Sequence, residues 1–75
     1  MTLDTVALDV PVRVLGFAGM GEADVTRLTG LGLRPGVSVT KILRAPLRDP
    51  VECLVGAQLL ALEARLLSRI CVEAA

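Results

Sequence analysis

Apolar and polar positions along the chain spell out short strands separated by turns. Val12 and Val14 alternate with Arg13 behind Pro11, the period-2 signature of a strand with one buried face running towards Phe17. Gly16, Gly19 and Gly21 then loosen the chain, and Glu22 and Asp24 stand where the first turn of a helix favours negative charge. Val25 and Leu28, three apart, give that helix one apolar stripe, and it must end by Gly32. The segment Leu31-Gly32-Leu33-Arg34-Pro35-Gly36 fixes both a stop and a start. Gly32 takes the left-handed conformation that closes a helix, with Leu31 and Leu33 folding back on either side. Pro35 and Gly36 suit the two central positions of a type II turn. Leu31, Gly32, Leu33, Pro35 and Gly36 are therefore the residues expected to determine the fold locally.

A second strand follows from Val37 to Leu43, with Val37 and Val39 on one face. Lys41 continues that face and Ile42 falls out of phase, which predicts a bulge or sharp bend at 40–42. Two prolines in Ala45-Pro46-Leu47-Arg48-Asp49-Pro50 make a loop with Leu47 as its anchor. Val51, Cys53 and Val55 then alternate with Glu52 and Leu54, a third strand ending at Gly56. Residues 2–9 read as a short lead-in of about one helical turn, with Leu3, Val6 and Leu8 covering one end of the core.

The segment 57–70 supports two readings. Its Leu, Ala, Glu and Arg favour a helix, and Leu59, Leu62, Leu66, Leu67 and Ile70 gather on one side of a wheel. Glu63, however, interrupts that stripe. In the other reading Leu60 and Leu62 face inward on a strand, a tight turn follows, and a last strand places Ile70 and Val72 inward with Cys71 outward. Pattern alone leaves both open. The whole describes a mostly β domain over residues 1–75, a small and partly open barrel of about five strands with one short helix after the first.

Composition narrows the function classes. Seventy-five residues form a single domain, and 53% hydrophobic residues, nearly all aliphatic, supply a core with leucines left over for a partner or a second copy. Eight basic and eight acidic residues cancel, so there is no electrostatic footprint for nucleic acid. No apolar run approaches the ~20 residues that cross a bilayer. Asp4 and Asp9 replace the positive charge of a signal peptide, and the expected location is cytoplasmic.

Three of these segments, in this order and separation, resemble the FeoA family of ferrous-iron-transport accessory proteins. They are Leu28 with Leu31 to Gly36 and Val37 and Val39 behind it; Arg44 to Glu52; and Leu60-Ala61-Leu62 through Ile70-Cys71-Val72. The resemblance implies an SH3-like barrel, with strand, short turn and strand in the divided segment. Asp9 and Arg48 stand where the family often has glycine, and Leu59 where it is more often polar. It also implies a regulator that binds the FeoB-type membrane transporter of ferrous iron. Two alternatives are a barrel working with an iron-dependent repressor and a protein that carries Fe²⁺ itself. A chain with no helix-turn-helix part favours the transport accessory over the repressor.

The chemistry on offer is sparse. There is no His, and Ser38 and Ser68 have no candidate base, so no catalytic residue is expected. Gly16, Gly19 and Gly21 do not make a P-loop, and no cofactor site is expected. Zero His with two separated cysteines cannot close a site for a soft metal. Glu22, Asp24, Asp49, Glu52 and Glu73 suit at most an open site between molecules and otherwise form a solvated rim, so no metal residues are assigned. With Phe17 the only aromatic, a polyproline groove is also excluded. The expected partner surface is aliphatic, comprising Leu43, Leu47, Leu54 and Leu59 beside Arg44 and Arg48.

Overall fold

The alternation read from residue 12 onward becomes burial in the first strand. β1 (Val12–Phe17) turns Val12 and Val14 inward and Arg13 and Leu15 to solvent. The computed structural model describes residues 1–44, 46 and 48–75, with the Arg44 side chain also outside the description. After β1 come α1 (Glu22–Gly30), β2 (Ser38–Arg44), β3 (Val51–Val55), β4 (Gln58–Leu62), a single helical turn α2 (Ala64–Leu67), and β5 (Ile70–Ala74). A 3-10 turn at Leu3–Thr5 precedes them. The five strands form one sheet in the order β4-β3-β2-β1-β5, with every neighbouring pair antiparallel.

The junction after α1 shows why its sequence is so specific. Leu33 N–H donates to Leu28 O and Gly32 N–H to Thr29 O, each at 3.0 Å, the paired bonds of a Schellman stop. Gly32 sits at φ +100°, where an L side chain is strained. Leu28 and Leu33, the residues that such a stop brings together, are both fully buried. Leu31 departs from the expected fold-back: it is 40% exposed, because only Leu33 of the pair points at the core. Val37 N–H then donates to Arg34 O at 3.1 Å around Pro35 and Gly36, and Gly36 at φ +92° completes a type II turn. Gly36 N–H to Val14 O and Val14 N–H to Val37 O stitch this turn to β1.

β2 pairs with β3 through Lys41↔Cys53 and then Leu43↔Glu52, so Ile42 is the extra residue of a bulge. The bulge lets Lys41 stay on the core face while Leu43 reaches the outer one. Lys41 is fully buried, and its ammonium donates to Asp4 O at 3.2 Å. Its carbonyl accepts from Asp9 N–H at 2.7 Å, so one residue fastens both ends of the lead-in. Leu3 and Val6 enter the core as expected, but Leu8 is 39% exposed, because the chain has already turned towards β1. Asp9 makes that turn at φ +65°.

The divided segment contains both strand and helix. Leu62 is buried on β4 and Leu60 packs against the core, then one helical turn sends the adjacent pair Leu66 and Leu67 inward. A strand would have sent one of the two outward. Ile70 and Val72 complete the core from β5. The free edge of β5 is closed by the lead-in, through a Thr2–Cys71 bridge and Val72 N–H to Met1 O at 2.9 Å. Among the described residues β4 pairs only with β3. α1 is tethered beside both ends of β4: Gln58 Nε2 donates to Leu31 O at 2.6 Å, and Arg27 pairs with Glu63 at 2.9 Å.

Candidate functional site: the outer face of strands two to four

Antiparallel pairing places alternate side chains of three strands side by side on one surface. Across the sheet run two rungs, Thr40–Leu54–Leu59 and Leu43–Glu52–Ala61. Leu43 is 57% exposed, Leu54 37% and Leu59 60%, and Glu52 and Ala61 are also exposed. Leu43, Pro50, Glu52 and Ala61 line a shallow groove of about 160 Å³. An exposed aliphatic strip of this kind is a candidate docking surface.

Of the residues expected at a partner surface, Leu43, Leu54 and Leu59 are brought together on this face. Arg48 is exposed in the loop that leads into β3, at φ +63°. Leu47 and the Arg44 side chain lie outside the described residues. Pro50, Glu52 and Ala61, which line the groove with Leu43, were not among the residues expected on this face. For Glu52 the signal was present, since the alternation that buries Val51, Cys53 and Val55 puts it on the face of Leu54. Ala61 depends on the register of β4, which the divided segment concealed.

The loop and the junction around this face are held by specific polar contacts. Asp49 Oδ1 accepts from Ala64 N–H at 2.9 Å, so a loop residue caps α2 from a distance. Asp24, Arg27, Glu63 and Arg65 form a ring of alternating charge between α1 and the β4–α2 junction, with contacts of 2.9–3.3 Å. The Arg65 guanidinium holds the Asp24 carboxyl below its ordinary value, against partial desolvation and with help from Arg27.

The remaining candidate chemistry is dispersed. Glu73 pairs with Arg13 at 3.5 Å, while Asp24 and Asp49 are engaged as described. Among the described residues no three His, Cys, Asp or Glu side chains gather to hold a metal ion. Cys53 is fully buried beside Lys41, and burial, opposed by the lysine's charge, pushes its thiol up to about 11. Such a thiol is a core residue rather than a nucleophile. Cys71 is half-buried on β5. No helix among the described residues is long and apolar enough to cross a membrane.

No curated protein sequence matches the chain. Several solved structures do. The iron(II) transport protein A of Clostridium thermocellum is 32% identical, with a TM-score of 0.85 over 99% of this chain and 45% of that one. This chain thus spans less than half the length of that relative. The FeoA protein of Chlorobium tepidum is 28% identical, with a TM-score of 0.91 over 99% of this chain and 70% of that one. The FeoA of Stenotrophomonas maltophilia, solved with zinc, is 26% identical, with a TM-score of 0.80 over 97% of this chain and 89% of that one. It is described as a prokaryotic SH3-domain protein and a candidate activating factor for ferrous iron transport. The FeoA domain profile matches residues 1–74. With its five-stranded SH3-like sheet, the chain belongs to the FeoA family, which is associated with ferrous iron transport.

Proposed function

We propose that this chain is a non-enzymatic cytoplasmic accessory of ferrous iron uptake that binds the FeoB-type membrane transporter. The observation that carries the reading is the contiguous aliphatic strip of Leu43, Leu54, Leu59 and Ala61, open to solvent on a chain of the FeoA family. Leucines in that arrangement gain from being covered, at roughly 25 cal/mol per Å² of apolar surface removed from water. Arg48, exposed in the loop that leads into β3, adds a cation to the docking surface of this reading.

The reading is tested by pull-down of the purified, detergent-solubilised transporter on the tagged chain. Association that is lost on Leu54→Asp or Leu59→Asp, with the melting transition retained, is the expected result. Folded wild-type chain that captures no transporter overturns it.

A further inference from the structure

We propose that the partner docks on this face with a Lys or Arg carried on an otherwise apolar segment, and that this cation pairs with Glu52. The inference rests on the transporter-docking reading above and names the chemistry of the contact. Glu52 occupies the middle strand of the face. Leu43 stands across from it on β2, Ala61 on β4, while Leu54 on its own strand and Pro50 just before that strand each lie two residues away. Asp24, Glu63 and Glu73 each have an arginine partner, whereas Glu52 makes no ion pair with any described residue.

That placement constrains what can cover the face. An apolar partner closing over the leucines strips water from the carboxylate, and an ionised group left buried and unpaired is strongly unfavourable. A cation on the partner removes the penalty and sets the register of docking. A second copy seated two-fold about Glu52 supplies none at that point, because Arg48 lies in the loop before β3 and away from the centre of the face. Glu52 lies at the centre of the patch, so a two-fold contact through the same face sets Glu52 against its own counterpart. An anionic lipid surface meets the same repulsion. A metal ion finds no ligand set here, since among the described residues no three His, Cys, Asp or Glu side chains gather.

The experiment measures binding of the chain to the transporter reconstituted in nanodiscs, for wild type, Glu52→Gln and Glu52→Arg, at low and moderate salt. The expected result is weakening of about tenfold or more for Glu52→Gln with a flatter salt dependence, and a larger loss for Glu52→Arg. A Lys→Glu or Arg→Glu reversal on the transporter's cytoplasmic surface is then expected to restore binding of Glu52→Arg. Glu52 is exposed, so both variants should melt close to wild type, and Glu52→Gln alone decides the matter if the charge reversal disturbs folding. Wild-type binding that neither substitution weakens overturns the inference and leaves the docking reading intact. Folded wild-type chain that does not bind at all overturns both. Sedimentation showing a dimer that Leu59→Asp disperses and Glu52→Arg does not would assign the face to a second copy and overturn the inference.

Discussion

The Asp49 carboxylate accepts a hydrogen bond from the Ala64 N–H at 2.9 Å across fifteen residues of chain. It satisfies a donor at the start of a helical turn whose own N-cap, Glu63, makes no side-chain cap. The aspartate thereby ties the loop before β3 to the junction after β4. Asp49→Ala is expected to cost about 1 kcal/mol, the usual value of such an acceptor, and to lower the melting temperature by roughly 4–8 °C. Asp49→Asn keeps an acceptor oxygen and should lose far less. Thermal melts followed by circular dichroism separate the two.

Gly32 faces a different constraint. Its φ of +100° disfavours any side chain, and an added Cβ would lie 3.1 Å from Gln58 Nε2. Gly32→Ala should therefore destabilise by about 1–2 kcal/mol, measured by urea denaturation. Gly30, inside α1 with open space around it and no positive φ, is the matched control and should tolerate alanine.

Arg48 and Asp9 both adopt positive φ without being glycine. Aspartate is among the residues that tolerate this region, and arginine is not. Arg48→Gly is thus expected to raise stability by up to about 1 kcal/mol, while Asp9→Gly changes it little. Paired denaturation curves read the difference.

Acid should loosen the contact between α1 and the β4–α2 junction. Asp24 is held below its ordinary value of 3.8, chiefly by its hydrogen bond from Arg65. A carboxylate lowered by folding contributes stability above its unfolded value, and that contribution disappears as pH falls through the lowered one. The stability gap between wild type and Asp24→Asn should be constant at neutral pH and narrow below about pH 4. High salt should narrow it as well, because the ring is solvent-accessible.

The two cysteines should separate cleanly. Cys53 is fully buried with its thiol pushed up to about 11, whereas Cys71 is half-buried. Iodoacetamide at about pH 8 should label Cys71 and spare Cys53 until the chain unfolds, as read by peptide mass spectrometry. The raised value also means that stability holds below the ordinary thiol value of 9.0 and declines as pH rises from there through about 11.

How far the structure was legible differs from segment to segment. The alternation at 51–55, the stop at Gly32 and the bulge at Ile42 are local, and each appears where the residues imply it. The stretch 57–70 was ambiguous because it holds two kinds of signal. Leu60 and Leu62 obey a period of two, and the adjacent Leu66 and Leu67 need a helical turn for both to be buried. Which of Leu31 and Leu33 would be buried, and where Asp49 would find its partner, depend on contacts between distant residues that no local pattern carries. On the outer face of β2, β3 and β4, Leu43, Leu54 and Leu59 were named from the residues. Ala61 and the central position of Glu52 emerged only once the strand register was fixed.

The two rims of the sheet are protected by different forces. β5 is sealed by backbone hydrogen bonds from the lead-in, while β4 is screened by a helix tethered by the Gln58 amide and by exposed charges. Backbone hydrogen bonds withstand salt and acid, and exposed ion pairs do not. Stress of that kind opens one rim and leaves the other closed, and the rim it opens is the uncharged run Gln58-Leu59-Leu60-Ala61-Leu62. Any fibril this chain forms should therefore begin at β4.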